Sequence, residues 1–240
     1  MSSPDTRHPE RLADDNLAML LERLYRHRFS EQDLQRLRQV WRILVRDFFQ
    51  KRIRPEATVV DLGAGACFFI NEVRAKRRIA LDGNPDVLKR AGPGVEAMLM
   101  KDLSLREIPD AGAGHLFMSN FLEHLPDYVT ALELLTAVHR KLEPGGSVMI
   151  LQPNFRLAPT RYFDFVDHRL ILTDRSLVEA LEVVGFRIDE LRIRFLPLTS
   201  KSRLPQWAWA VSLYLRIPPA QWLLGKQTYV AAVKAQGAGA

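Results

Sequence analysis

The chain has 240 residues, with 34 Lys and Arg against 28 Asp and Glu, and 47% of it is hydrophobic. That length favours one domain with room for an extra lobe, and the composition excludes wholesale disorder. A single cysteine, Cys67, excludes a disulfide framework and any multi-cysteine zinc or iron–sulfur centre. The opening MSSPDTRHPE lacks the apolar core of a secretory signal. No apolar stretch reaches about 18 residues without a Pro or Arg. A soluble, cytoplasmic protein is expected.

The formal charge of +6 is unevenly spread: residues 1–55 carry +4, residues 56–155 carry −3 and residues 156–240 carry +5. The basic flanks can serve anionic substrates, lipid headgroups or nucleic acid, or simply solubility.

Residues 10–27 and 31–51 read as helices. In the second, Leu34, Leu37, Val40, Trp41, Leu44, Val45 and Phe48 recur three and four apart, and Ser30 is placed to cap its start. From residue 56 the pattern changes to short apolar or β-branched runs at 57–62, 78–82, 95–101, 114–119 and 147–152. Helical stretches at 67–77 and 127–142 separate several of them. Such alternation predicts a mostly parallel sheet covered by helices on both faces. Thr173-Asp174 opens a helix over 174–184 that Gly185 closes. Strands at 186–195 and 226–234 flank residues 196–224, an insertion rich in Pro, Trp and Leu. The expected organisation is an N-terminal helical cap, 1–55, and one α/β domain, 56–240, whose sheet has seven strands.

The strongest local signal is VVDLGAGACFF at 59–69. A strand ends at Asp61, a Gly-Ala-Gly turn follows, and a helix begins near Cys67. Glycines at 63 and 65 let backbone approach a ligand, and the helix start offers free N–H groups. A dinucleotide fold uses similar architecture, but Phe68 stands at its third glycine position and is too large for the close helix–strand contact. Asp61 adds a carboxylate that disfavours a pyrophosphate and suits a ligand bearing an ammonium and a sulfonium. Cys67 reads as a small residue packing inward rather than a nucleophile.

This pattern resembles motif I of the class I S-adenosylmethionine-dependent methyltransferases. The second strand ends in Asp82-Gly83-Asn84, where that family holds the ribose hydroxyls with an acidic residue. Lys101-Asp102-Leu103 ends the third strand and looks like the position whose Asp accepts from the adenine amino group, with Leu103 against the ring. Ser119-Asn120-Phe121-Leu122-Glu123-His124-Leu125-Pro126 is similar to the family's segment beside the methyl group, and LEPGG at 142–146 is typical of it. The resemblance covers about residues 56–195. It implies a Rossmann-like methyltransferase fold and S-adenosylmethionine as cofactor. The implied cofactor contacts are Asp61, Gly63, Ala64, Gly65, Asp82, Gly83, Asn84, Asp102, Leu103, Ser119 and Asn120. His115 departs from the pattern, standing where the family usually has Asp.

QPN at 152–154, residues 161–181 and LGKQTYVAAVK resemble a methyltransferase subgroup of polysaccharide and secondary-metabolite pathways. A small-molecule acceptor is therefore expected, a glycan, lipid-linked sugar or secondary metabolite with a hydroxyl to methylate. His124 sits where a base for that hydroxyl belongs, or it holds the loop through hydrogen bonds. His168 is a second candidate base, with Asp167 placed to orient it. Tyr162, Arg161 and Arg169 either line an acceptor pocket or belong to a packed loop. The six histidines are scattered without ligand spacing, so no metal is expected.

Trp207, Trp209, Tyr214 and Trp222 make residues 204–225 unusually aromatic. They form either a substrate lid packed on the last strands or a peripheral membrane contact. Three rival functions remain: an RNA- or protein-directed methyltransferase, a non-catalytic binder of the cofactor, and an NAD-dependent reductase. Asn120-Phe121-Leu122-Glu123 stands where base methyltransferases often carry a Pro-Pro-Tyr/Phe element, which makes nucleic acid an unfavoured substrate.

Overall fold

The computed structural model describes residues 30–198 and 208–235. The expected helix at 10–27 and Trp207 lie outside the described residues. Helix α1 (Glu31–Asp47) leads through a 3-10 turn (Phe49–Arg52) into β1 (Thr58–Leu62), α2 (Phe68–Glu72), β2 (Arg77–Asp82), α3 (Val87–Arg90) and β3 (Val95–Leu99). Then follow β4 (Ala113–Ser119), α4 (Tyr128–Lys141), β5 (Leu142–Pro153), α5 (Asp174–Val183), β6 (Phe186–Leu196), α6 (Ala208–Arg216), α7 (Pro218–Leu224) and β7 (Gln227–Lys234). The seven strands form one sheet in the order β3-β2-β1-β4-β5-β7-β6. The first five are parallel, and β7 runs antiparallel between β5 and β6. Strand order reverses between β1 and β4, and the crevice outside their carboxyl ends is where such sheets bind ligands.

Alternating residues feed two cores. Val60, Leu62, Ile79, Leu81, Leu116 and Ile150 pack with Leu134, Leu135 and Val138 of α4 and Leu177 and Leu181 of α5. Val59, Ala80, Phe117, Met149 and Tyr229 face the other way, onto Leu44 and Val45 of α1 and Phe69 and Ile70 of α2. The second core is aromatic: Phe69 stacks on Phe117 at 3.8 Å between ring centroids, and Phe49 meets both rings edge-on at 5.6 and 5.1 Å. Helix α1 is thus built into one face of the sheet. A reciprocal capping box starts it, Ser30 accepting from the Asp33 backbone N–H and Asp33 from that of Ser30.

Several element ends depart from the expected ones. The helix expected at 31–51 gives way after Asp47 to a 3-10 turn. The helix expected at 67–77 stops at Glu72, because Gln50 brackets Arg74: the amide donates to the Arg74 carbonyl at 2.9 Å and accepts from its N–H at 2.8 Å. That pair fixes extended backbone and sends the chain into β2. Strand β3 ends at Leu99 rather than 101, and β5 is longer than expected, starting at Leu142 across a bulge opposite Ala113 and His115. The insertion holds α6 and α7, split at Pro218.

His115 explains its own departure from the family pattern. It is 5% exposed, its Nε2 accepts from the Arg54 N–H at 3.0 Å, and its Nδ1 lies 2.8 Å from Ser147 Oγ. The neutral ring therefore ties the chain before β1 to β4 and β5. Burial, with Arg54 adding to it, pushes the His115 pKa down to about 4. The unfolded chain then binds the extra proton between pH 6.5 and 4, so this part of the stability is full above pH 6.5 and lost as pH falls through that window. The expected loss is on the order of 2–3 kcal/mol. Urea unfolding at pH 7 and at pH 4.5 should show it, and His115→Asn should flatten that difference.

Candidate functional site

The carboxyl ends of β1, β2 and β4 converge on the turn after β1. Gly63 has φ +72° and donates its N–H to the Leu81 carbonyl at 2.8 Å, which pins the turn to β2. A side chain at Gly63 would collide with the Phe121 ring, so glycine is required there by packing as well as by conformation. Gly65, at φ +50°, has nothing within 4 Å of where a Cβ would stand. Its open face is therefore the cradle. Ala64 turns its methyl into the second core and offers only backbone.

Asp82, at the end of β2, is half-buried. Its Oδ2 accepts the Gly65 N–H and its Oδ1 the Asn84 N–H, each at 2.7 Å. Each oxygen keeps a lone pair for a further donor, the arrangement a vicinal diol requires. Gly83 beside it is exposed and likewise open. Asp61 lies below the turn rather than on its open face. It is 3% exposed and accepts from the Ile70 backbone N–H, and burial, reinforced by Asp82, pushes its pKa up to about 8. At neutral pH it is therefore mostly protonated. Cys67, fully buried at φ +57°, has its thiol pushed up to about 12 by burial and by both carboxylates, so it is inert at neutral pH.

Across the crevice, β4 ends in half-buried Ser119 and exposed Asn120, which turns the chain at φ +50° and donates its amide to Ser119 Oγ at 3.0 Å. Asp102 stands three residues beyond β3, not at its end. It is exposed, and its carboxylate accepts from the Ser104 N–H and hydroxyl and pairs with Arg106 at 3.4 Å, contacts that lower its pKa. Leu103 is half-buried against the first core.

The two candidate bases come together, and Asp167 faces His124. His124 Nδ1 lies 3.1 Å from the Asp167 carbonyl and 3.4 Å from its carboxylate. A carbonyl only accepts, so Nδ1 carries the proton and Nε2 presents its lone pair. Asp167 therefore orients His124. His168 faces Glu123, its Nε2 3.9 Å from Glu123 Oε1, and the two imidazole rings meet edge-on at 5.3 Å. Neighbouring residues brace this pair. The Glu123 carbonyl accepts the N–H groups of Arg169 and Leu170, and fully buried Tyr162 donates its hydroxyl to the Leu170 carbonyl at 2.7 Å. Tyr162 is thus part of the packing, whereas Phe163, Val166 and Arg169 remain exposed.

Glu123 was not among the expected site residues. It is fully buried, with Oε2 accepting from Gln152 at 3.0 Å and Oε1 left without a partner, and burial raises its pKa. The available signal was a carboxylate set between the apolar Leu122 and Leu125, opposite the amide of QPN. In the insertion, α6 packs Val211 and Leu215 on the second core and Tyr214 donates to the Phe195 carbonyl, while Trp209, Trp222 and Leu223 stay exposed. Among the described residues no helix is long and apolar enough to cross a membrane.

No family model matches the chain, and no curated protein does. Solved structures do match. A methyltransferase in complex with the Haloferax volcanii Trm112 activator superposes with a TM-score of 0.62 at 15% identity, covering 87% of this chain and 95% of that one. A SAM-dependent methyltransferase from Archaeoglobus fulgidus gives 0.61 at 19% identity, over 82% and 94%. The [4+2]-cyclase SpnF gives 0.57 at 15%, over 83% and 82%. The fold is that of the class I S-adenosylmethionine-dependent methyltransferases.

Proposed function

We propose that the protein is an S-adenosylmethionine-dependent methyltransferase acting on the hydroxyl of a small molecule, a sugar or glycan or a secondary metabolite. The observation that carries this reading is the open Gly65 cradle joined to Asp82, whose two oxygens each keep an acceptor position, at the switch point of this fold. Asp82 would take the ribose hydroxyls, with Gly83 and Asn84 shaping the turn beside them. Gly63, Ala64 and Gly65 would offer backbone to the amino-acid end, and Asp61, held largely protonated by its burial, would ionise beside the cationic groups of the bound cofactor. Asp102 and Leu103 would border the adenine, and Ser119 and Asn120 the sulfonium. When bound, the cofactor supplies an activated methyl group.

The rest of the task belongs to the chain: hold the acceptor oxygen in line and let its proton leave. His124 and His168 stand near the end of β4, where that oxygen would sit. The acceptor class rests on the resemblance of residues 152–154 and 161–181 to glycan and secondary-metabolite enzymes. Exposed Trp209 and Trp222, with Arg194 about the Trp222 ring at 5.5 Å, suit a lipid-linked form of such an acceptor.

Calorimetric titration with S-adenosylmethionine and separately with NADH tests the cofactor. Binding of the first alone is expected. Gly65→Ala, whose Cβ meets no neighbour but which strains the backbone at φ +50°, should lower Tm modestly and lose at least tenfold in affinity, with thermal unfolding read on the same sample. Binding of neither ligand by the unsubstituted protein would overturn the proposal.

A further inference from the structure

We infer that Glu123, His124 and His168 form a site for one divalent transition-metal ion, with a carboxylate and two imidazoles as ligands. Each of the three offers one ligand atom, and these atoms all lie within 4.8 Å of one another. Residues 44 and 45 positions apart are brought together because the Glu123 carbonyl captures the N–H groups of Arg169 and Leu170. Around a tetrahedral ion with bonds of about 2.0–2.1 Å, ligand atoms stand about 3.3–3.5 Å apart. The 3.9 Å between His168 Nε2 and Glu123 Oε1 needs only side-chain adjustments to close on such an ion.

A second observation points to a ligand independently of that convergence. Glu123 is 0% exposed, Oε2 is engaged by Gln152, and Oε1 has no hydrogen-bond partner although it is directed at His168. A buried, half-satisfied carboxylate is costly, and a cation removes that cost. The surroundings already have the form of a metal shell. Asp167 fixes the His124 tautomer through Nδ1, leaving Nε2 for coordination, and Gln152 holds the non-ligating oxygen. Imidazole with carboxylate suits Zn²⁺, Co²⁺, Ni²⁺ or Mn²⁺. Three protein ligands leave at least one position open, and the half-exposed His124 side, 33% accessible, is where it opens.

The inference rests on the proposed methyl transfer for its purpose and changes one part of it. The imidazole lone pairs go to the ion rather than to a proton, and the ion acidifies a coordinated acceptor hydroxyl. The O–H bond then breaks with its proton passing to water. The oxygen's electron pair forms the bond to the methyl carbon while the carbon–sulfur pair stays on sulfur.

The test uses the full chain stripped with a chelator and titrated with Co²⁺, followed by calorimetry and by the visible absorption of the bound ion. One equivalent should bind and be displaced by Zn²⁺. Glu123→Gln, which keeps the shape and the Gln152 contact, and His124→Ala, which opens a half-exposed position, should each weaken binding at least tenfold. His139→Ala, elsewhere on the fold, should leave it unchanged. No stoichiometric binding, or binding that survives both substitutions, would overturn the inference and make Glu123 a neutral acid bracing residues 168–172. Titration with S-adenosylmethionine in chelator is read separately. Cofactor binding without metal binding would remove only this site, and metal binding without cofactor binding would remove only the methyltransferase reading.

Discussion

Asp82→Ala should weaken S-adenosylmethionine binding by about 100-fold or more while leaving the protein folded. The carboxylate joins two turns, accepting from Gly65 and from Asn84, and its remaining lone pairs face the crevice. Charge-assisted hydrogen bonds to a diol contribute about 1.5–3 kcal/mol each in a partly desolvated site, so losing two reaches that factor. The freed N–H groups lie at a half-open rim and can be hydrated, so the cost to folding is about 1–2 kcal/mol, or a few degrees in Tm. Asp82→Asn separates charge from shape. An amide can satisfy one backbone N–H but not both, so an intermediate loss is expected. Calorimetry and thermal unfolding on the same samples check both. An affinity changed by less than threefold in the alanine variant would remove Asp82 from the ligand.

Phe117→Ala carries the largest expected effect on stability, about 3–5 kcal/mol. The ring is 1% exposed, stacks on Phe69 at 3.8 Å and meets Phe49 and Trp41 at 5.1 and 6.0 Å. Its removal would leave a cavity where α1, α2 and β4 meet, and none of those elements can close it without dragging the sheet. Phe117→Leu should recover most of the loss by refilling the volume. Urea unfolding measures both. A cost under about 1 kcal/mol for alanine would mean that the α1 face is not packed as the ring contacts indicate.

Seven strands and their order of appearance were legible because their patterns are local, nearly continuous apolar runs in the central strands and alternation in β6. The Gly-Ala-Gly turn was legible too, since positive φ and close approach need glycine whatever lies further along the chain. What the sequence could not disclose was set by partners far away in it. Helix α2 ends where Gln50, 24 positions earlier, brackets Arg74. Asp167 was read with its neighbour His168, and the sequence held no sign that His124, 43 positions back, would also lie against it. The histidines look scattered in the sequence, yet His124 and His168 meet across 44 positions because the Glu123 carbonyl gathers a distant loop. Asp102 falls three residues past the end of β3, and its contacts with Ser104 and Arg106, which fix where its carboxylate points, are set by the loop rather than by the strand pattern.

The position of β7 has a consequence for how the chain is made. Among the described residues, strand β6 has only β7 as a sheet neighbour, and β7 also covers the free side of β5. Until residues 227–234 have left the ribosome, β5 presents an open edge and β6, with eleven residues, has nothing to pair with. The parallel half can form early, from neighbouring strand–helix units, but the antiparallel half waits for the final pairing. A nascent or truncated chain ending in α7 would therefore leave one edge of β5 and both edges of β6 unpaired, a sticky intermediate that chaperones would have to shield.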